Sequence, residues 1–504
     1  MSKENNDIKE RIRSSAARAK IMSANEAAAM IKNGMTVGVS GFTPSGYPKA
    51  VPLALKTLLA DTPDFKINLY SGASLGPEID TEFAKMGIIE KRLPYQTNSL
   101  LRKQINSGIV EYVDMHLSQT SQYINYHTLE DIDIAIIEAI AITENGDIVP
   151  TTSIGNSPAF VKNARKVIVE INLSKPLELE GLADITSVAN PPERKPIDIY
   201  HPSDRIGTPY IECGLNKISA IVFTDLKDKT RPFSDIDDTS RKISDNILKF
   251  FHREVAQGRL PENLLPIQSG VGNVANAVLY GLSDSEYTDL TFYTEVVQDS
   301  MLALLRSGKA SVASTTALSP SPKELERFLT EIDFFKDKLI LRPQEISNNP
   351  EVIRRLGVIA MNTAVEIDIY GNVNSSHIMG SEMINGIGGS GDFSRNAAIT
   401  IFSTASTAKE GKISTIVPMV SHTDHTEHDV MIVVTEQGFA DLRGLSPKER
   451  ALQIINNCAH PDYKDALLDY YRRACESSAL HTPHLLSEAL SWHDNYLKTG
   501  SMKK

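Results

Sequence analysis

Tyr293-Thr294-Glu295-Val296-Val297-Gln298-Asp299 holds the residue best placed to do chemistry in this chain. The stretch follows the apolar run Leu290-Thr291-Phe292-Tyr293 and precedes Ser300-Met301-Leu302-Ala303-Leu304-Leu305, whose apolar spacing suits an amphipathic helix. Glu295 is therefore expected on a strand-to-helix turn, the edge at which open α/β sheets build their sites. At the ordinary glutamate pKa of ~4.3 it is ionised at neutral pH and needs no partner base to act as a nucleophile. An acyl group carried on a carboxylate is an anhydride, which conserves the group-transfer potential of a thioester where a serine ester would not. The residue type thus fits acyl and thioester exchange. Acidic residues at strand ends are more often solvated surface, so the weight of this reading rests on its neighbours.

Two glycine clusters are the neighbours in question. Gln268-Ser269-Gly270-Val271-Gly272-Asn273 reads as a strand running into a glycine turn with a helix over Val274 to Leu282. Asn385-Gly386-Ile387-Gly388-Gly389-Ser390-Gly391-Asp392-Phe393 is the second cluster. Backbone donors aimed at a developing oxyanion contribute roughly 3 kcal/mol each, and glycine allows the close approach they need. Gly41 to Gly46 has a similar form before a helix over Val51 to Leu55, and reads as an anion-ready helix N-terminus. His422, His425 and His428, with Asp424 and Glu427 between them, have a spacing that admits a metal. Hydrogen bonding near a site or at an interface is the favoured role for these histidines, and no metal is expected.

The elements that must position these residues alternate between strand and helix. Met35 to Phe42 and Lys66 to Ala73 each run from a buried strand into a glycine turn. Asp133 to Val149 is an apolar run that turns at Asn145-Gly146, a strong hairpin signal. Gly155 to Pro158 caps a short helix and Lys166 to Ile171 is a further strand. The alternation indicates an α/β sheet of mostly parallel order. Ser174 to Thr208, rich in proline and poor in periodic apolar residues, reads as a connector that ends a first domain, 1–215. Lys217 to Leu226 then starts a second α/β domain, 216–504, with a long amphipathic helix over Ile236 to Ala256. Gly357 to Asp368 reads as a strand pair before a turn at Tyr370-Gly371-Asn372. Both halves run in a similar order, which suggests two similar open α/β domains.

Composition narrows the function classes. The 504 residues include 52 Lys plus Arg against 63 Asp plus Glu, a net charge of -11 without a long basic run, which disfavours nucleic acid as a partner. No apolar run is long enough to span a bilayer. Cys213, Cys458 and Cys475 lie far apart and fit reduced thiols better than a disulfide framework. The polar N-terminus lacks a signal-peptide core, so a soluble cytoplasmic enzyme is the expectation.

Taken together, Gln268 to Ala277, Tyr293-Thr294-Glu295, Arg342-Pro343-Gln344-Glu345-Ile346-Ser347-Asn348, Gly386 to Phe393, Thr435-Glu436-Gln437-Gly438 and Ala440-Asp441-Leu442-Arg443-Gly444 carry a resemblance. They resemble the acetyl-CoA hydrolase/transferase family of class I coenzyme A transferases, over nearly the whole chain to Ser491-Trp492-His493. Within it the motifs are most similar to those of bacterial succinyl-CoA:acetate CoA-transferases. The resemblance implies two α/β domains of the coenzyme A transferase type with the active site between them, in a homodimer. It implies Glu295 as nucleophile, passing through a mixed anhydride to a glutamyl-CoA thioester, with ping-pong kinetics. It implies the backbone N–H groups of Val271 and Gly389 as oxyanion donors, and Gln268, Ser269, Gly270, Asn385, Gly389 and Lys409 in segments that bind CoA. Acyl-CoA and short-chain carboxylates are then the substrates, and no cofactor is permanently bound. Glu436 and Asn348 sit in marked motifs without an assigned role. A dicarboxylate substrate needs a cation for its far end, and Arg231 in Thr230-Arg231-Pro232 is the candidate. Arg231→Ala is expected to raise KM for succinyl-CoA far more than for acetyl-CoA; equal effects would overturn that role.

Overall fold

Every residue of the strand Ile134–Ile142 is buried, including Glu138, so an almost continuous apolar run has become the centre of a sheet covered on both faces. In this computed structural model residues 3–230 and 236–503 are described. They divide into two compact units that are discontinuous in sequence: Met1–Pro232 with Thr291–Leu305 and Ser311–Arg355, and Phe233–Leu290 with Arg306–Ala310 and Leu356–Lys504.

In the first unit, Thr36–Val39 pairs in parallel with Ile67–Tyr70 on one side and with Ile134–Ile142 on the other. The sheet continues outward in chain order, through Ile89–Leu93 and Glu111–Tyr112 on the first side and Lys166–Asn172 and Ile218–Thr224 on the second. The hairpin read at Asn145-Gly146 is present: Ile148–Pro150 returns antiparallel to Ile134–Ile142. Gly146 has φ +89°, and a Cβ there would meet the Leu215 backbone nitrogen at 2.6 Å, so glycine is required twice over. Leu290–Tyr293, Ala310–Thr315 and Leu339–Leu341 are neighbours in that order in the chain's other eight-stranded sheet, and the first of them leads into the acidic turn.

The helix after Gly41–Gly46 is present where the sequence suggests and somewhat longer, from Ala50 to Leu58. Its N-terminus is anion-ready as expected, but the anion is the chain's own. Glu170 accepts from the backbone N–H groups of Lys49 (2.6 Å), Ala50 (2.9 Å) and Val51 (3.0 Å). Beneath it the fully buried Lys49 ammonium lies 2.5 Å from Glu138 and 2.8 Å from Asp228, and Lys175 lies 2.6 Å from Asp228. The proline-rich segment after Ser174 is irregular, as read, yet it is docked rather than loose. Asp184 is buried, accepts from the N–H groups of Ile206 and Gly207, and pairs with the buried Arg342.

The second unit contributes Ile267–Ser269, Ile359–Thr363, Ile399–Ser403 and Ile432–Thr435, parallel in that order, and Gly438–Asp441, antiparallel at the edge, to an eight-stranded sheet. The succession repeats that of the first unit's Thr36–Val39, Ile134–Ile142, Lys166–Asn172 and Ile218–Thr224, so the similar order of the two halves is real. Helices Asp238–Ala256 and Asn273–Asp284 pack together, the first capped by Asp237 accepting from the Ser240 N–H at 2.7 Å. One expectation is corrected: Ile359–Thr363 does not pair with Glu366–Asp368. The latter forms a hairpin with Val373–Asn374 across the turn at Gly371, because Asp368 accepts from the N–H groups of Tyr370, Gly371 and Asn372 and folds the chain back there. Among the described residues no helix is long and apolar enough to cross a membrane.

Candidate active site

Where the strand Leu290–Tyr293 ends, the Thr294 N–H still donates to Ser314 O at 2.9 Å, and the chain then leaves the ladder at Glu295. The Glu295 carbonyl accepts from the N–H groups of Thr316 and Ala317, both at 3.1 Å, and from Thr315 Oγ1 at 2.7 Å. Three donors on one carbonyl fix the backbone and therefore the direction of the side chain. The strand-to-helix turn is as read, with one addition: Val296–Val297 pairs in parallel with Ala317–Leu318 before the helix Asp299–Arg306 begins. Val296 packs in a small apolar cluster with Phe42, Ala73, Leu117 and Ala317.

The short helix Gln344–Ser347 presents the partner. It is anchored by Arg342, whose Nε donates to Ser314 Oγ at 2.7 Å, and by the Tyr293 hydroxyl, which donates to the Ile346 carbonyl. Asn348 caps its C-terminus. Ser347 Oγ donates to Asn348 Oδ1 at 2.8 Å, which turns the amide so that Nδ2 donates to Glu295 Oε1 at 2.7 Å. The motif from Arg342 to Asn348 thus delivers one amide to one carboxylate. No local pattern foretold this, since the two residues lie 53 apart in sequence.

Electrostatics corrects the expectation that Glu295 is simply ionised. The side chain is only partly accessible, and loss of water around the carboxylate pushes its pKa up to about 7 against the lowering pull of Asn348. A carboxylate near neutrality is more basic, and hence a better nucleophile, than an ordinary one, while still being substantially ionised at pH 7. We predict that kcat/KM falls with acidity through an inflection near pH 7. Because Asn348 favours the ionised form, Asn348→Ala should move that inflection upward and lower kcat/KM by about 10- to 100-fold, the worth of a hydrogen bond to a charge. An unmoved inflection in the pH profile would show that the amide does not hold the reacting group.

The remaining candidates belong to the second unit. Gln268 is buried in its strand, its Oε1 accepting from the Met361 N–H at 3.1 Å and from Asn362 Nδ2 at 3.3 Å. Ser269 is buried, and the Gly270 N–H donates to Met361 O at 3.0 Å. Val271 follows at the turn with 53% of its surface exposed, directly before Gly272, the N-cap of Asn273–Asp284, at φ +130°. Gly389 stands just ahead of the short helix Ser390–Ser394, and Asn385 Oδ1 accepts from the Gly386 N–H at 2.8 Å. Lys409 is exposed at the tip of the hairpin Thr407–Ala408/Ile413–Ser414. Glu436 has a visible job here: it accepts from both the N–H (2.8 Å) and the hydroxyl of Ser406, holding the strand that leads to Lys409. Arg231 lies outside the described residues.

The three histidines of the 421–428 segment are not gathered. His425 is buried against Phe402 and within hydrogen-bonding distance of Ser390 Oγ (3.1 Å), as a hydrogen-bonded histidine should be, and His428 is exposed. His422 instead stacks on His377.

Comparison with known proteins sets this geometry in a family. Residues 5–223 match the acetyl-CoA hydrolase/transferase N-terminal domain and residues 324–471 the C-terminal domain. The succinyl-CoA:acetate CoA-transferase of Clostridium kluyveri is 62% identical over 494 residues, 98% of this chain and 92% of that protein. The acetyl-CoA hydrolase of Schizosaccharomyces pombe is 45% identical over 489 residues (94% of each), and the propanoyl-CoA:succinate CoA transferase of Escherichia coli 46% over 486 (95% and 98%). Among solved structures, RipA from Yersinia pestis shares the fold, with a TM-score of 0.71 at 22% identity over 91% of this chain and 98% of that one. With both domain matches in chain order and nearly full-length relatives on either side of the hydrolase–transferase divide, the chain belongs to the acetyl-CoA hydrolase/transferase family.

Proposed function

We propose that this enzyme transfers coenzyme A reversibly between succinyl-CoA and acetate. The observation that carries the reading is the Glu295 carboxylate, desolvated to near-neutral pKa, partly accessible and aimed by Asn348. The 62% identity to a relative of that activity supports the substrate pair.

Glu295 attacks the thioester carbonyl, the C–S bond breaks, and the electron pair leaves with the CoA thiolate, giving a mixed anhydride. The thiolate then attacks the glutamyl carbonyl of that anhydride, releasing succinate and leaving a glutamyl-CoA thioester. Acetate attacks this thioester and the steps run in reverse to acetyl-CoA. Each tetrahedral intermediate carries an oxyanion, for which the backbone N–H groups of Val271 and Gly389 are the proposed donors. Gln268, Ser269, Gly270, Asn385, Gly389 and Lys409 are the proposed CoA contacts, with Lys409 as a point charge for phosphate. The proposed division is into an N-terminal α/β domain, 1–215, and a C-terminal α/β domain, 216–504, that carries Glu295; the N-terminal family match ends a little past that boundary, at 223. A homodimer completes the reading.

The test is succinyl-CoA with and without acetate. Acetyl-CoA formed only with acetate, parallel lines in initial-rate plots, and a CoA adduct on Glu295 that borohydride reduces would establish the transferase. Thioester loss that ignores acetate would instead establish the hydrolase, an activity for which the S. pombe relative is named. Faster transfer to propionate or butyrate than to acetate would keep the mechanism and change the acceptor.

A further inference from the structure

Three metal-ligating side chains of the second unit converge: His377 on the hairpin His377–Ile378/Glu382–Met383, and His422 and Asp424 on the segment after Val420. A ring nitrogen of each histidine and a carboxylate oxygen of Asp424 all lie within 4.8 Å of one another, with the three residues half-buried and the Asp424 carboxylate the more enclosed of the pair it forms with His422. From this geometry we propose that His377, His422 and Asp424 form a binding site for a divalent transition-metal ion of the zinc type.

The hydrogen bonds around the trio prepare it for that role. Ser375 N–H donates to Asp424 Oδ2 at 2.6 Å, and Ser376 Oγ lies 2.7 and 2.8 Å from the two Asp424 oxygens, so the carboxylate is oriented. Because the Asp424 carboxylate only accepts, the Ser376 hydroxyl must donate to it. The lone pair of that hydroxyl then faces His377 Nδ1 at 2.8 Å, and the proton between them belongs to Nδ1. Nε2 of His377 is left with its lone pair outward, the form that binds a metal. A serine thus sets the tautomer of one ligand and the orientation of another, as outer partners do at metal centres.

His422 and Asp424 are spaced as an ion pair can be, and also as two ligands of one ion are. His422 Nε2 lies 3.4 Å from Asp424 Oδ1, beyond the usual 2.7–3.2 Å of an N–H···O bond. It matches the spacing of about 3.3 Å between ligands of a tetrahedral zinc ion with bonds near 2.0 Å. The two imidazole rings stack with centroids 3.7 Å apart, which holds their nitrogens side by side. Two imidazoles and one carboxylate favour zinc or a similar ion over magnesium or calcium, and leave a fourth position for water. Bound there, the ion would clip the hairpin at His377 to the strand-like segment at Asp424, across the existing Val373–His425 bridge.

The test uses the full chain, stripped with a chelator and then titrated with Zn2+ by calorimetry and with Co2+ by visible spectroscopy. One ion per chain is expected, with a d–d band of tetrahedral intensity in the wild-type protein. His422→Ala and His377→Ala should each weaken binding by at least about tenfold, and Ser376→Ala by about tenfold through the tautomer. His428→Ala, six residues from His422 and exposed, should leave binding unchanged. Equal thermal melts in chelator would show the variants folded. Absence of the Co2+ band from the wild-type protein, undiminished binding in His422→Ala, or an equal loss in His428→Ala would each overturn the site.

Discussion

Glu295→Gln is expected to abolish CoA transfer, by about 10⁴-fold or more, while making the protein more stable at alkaline pH. The rate follows from losing the nucleophile, since removing a covalent catalyst leaves only binding and oxyanion stabilisation. The stability follows from the raised pKa. At pH 8 the wild-type carboxylate is ionised in both folded and unfolded chains, but the folded one is desolvated, and glutamine relieves that cost. At pH 5 the folded carboxyl is already protonated, its pKa being about 7, so little is gained. Stability of the wild-type protein should therefore fall, relative to the variant, as pH rises from the ordinary glutamate value through about 7. Discounted for partial solvent access, the difference is about 1–2 kcal/mol at pH 8, readable by thermal melts at both pH values. A variant that keeps activity would remove Glu295 from the mechanism. One that is inactive and no more stable at pH 8 would keep the nucleophile and deny the desolvation.

Lys49→Met should give the largest loss of stability among single changes outside the candidate site. Its ammonium is fully buried between Glu138 and Asp228, and those carboxylates together with Lys175 form a closed network of four charges. The nearby positive charges hold Asp228 well below the usual carboxylate range despite its burial. Methionine fills the space but leaves Glu138 without its ammonium partner and Asp228 with only Lys175. Breaking a buried pair in this way costs about 3–5 kcal/mol. The exposed pair Lys227–Glu326 is the control: Lys227→Ala should change stability by less than about 1 kcal/mol. Denaturant unfolding of the two variants in parallel checks this, and similar midpoints would mean the buried network is not what holds that part of the first unit.

Local pattern was enough to place much of this chain. The alternation of apolar runs with glycine turns gave parallel sheets in each unit, Asn145-Gly146 gave a hairpin, and the apolar spacing on either side of Glu295 gave its strand-to-helix turn. These follow from sequence because periodicity and turn chemistry act over a few residues. What side chains meet is another matter. Glu170 fills the helix N-terminus that the glycine turn prepares, 119–121 residues away. Asn348 reaches Glu295 across 53 residues, and Ser347 aims it. His377 joins His422 and Asp424 from another hairpin, while the evenly spaced His425 and His428 part company. The pKa of Glu295 belongs to the same class, since desolvation is set by everything that packs around a carboxylate. The amino-acid sequence by itself determined the element types, the family and the acidic residue on its turn; only the tertiary structure decided which groups touch it and how basic it is, because contact and solvent exclusion are sums over segments remote in the chain.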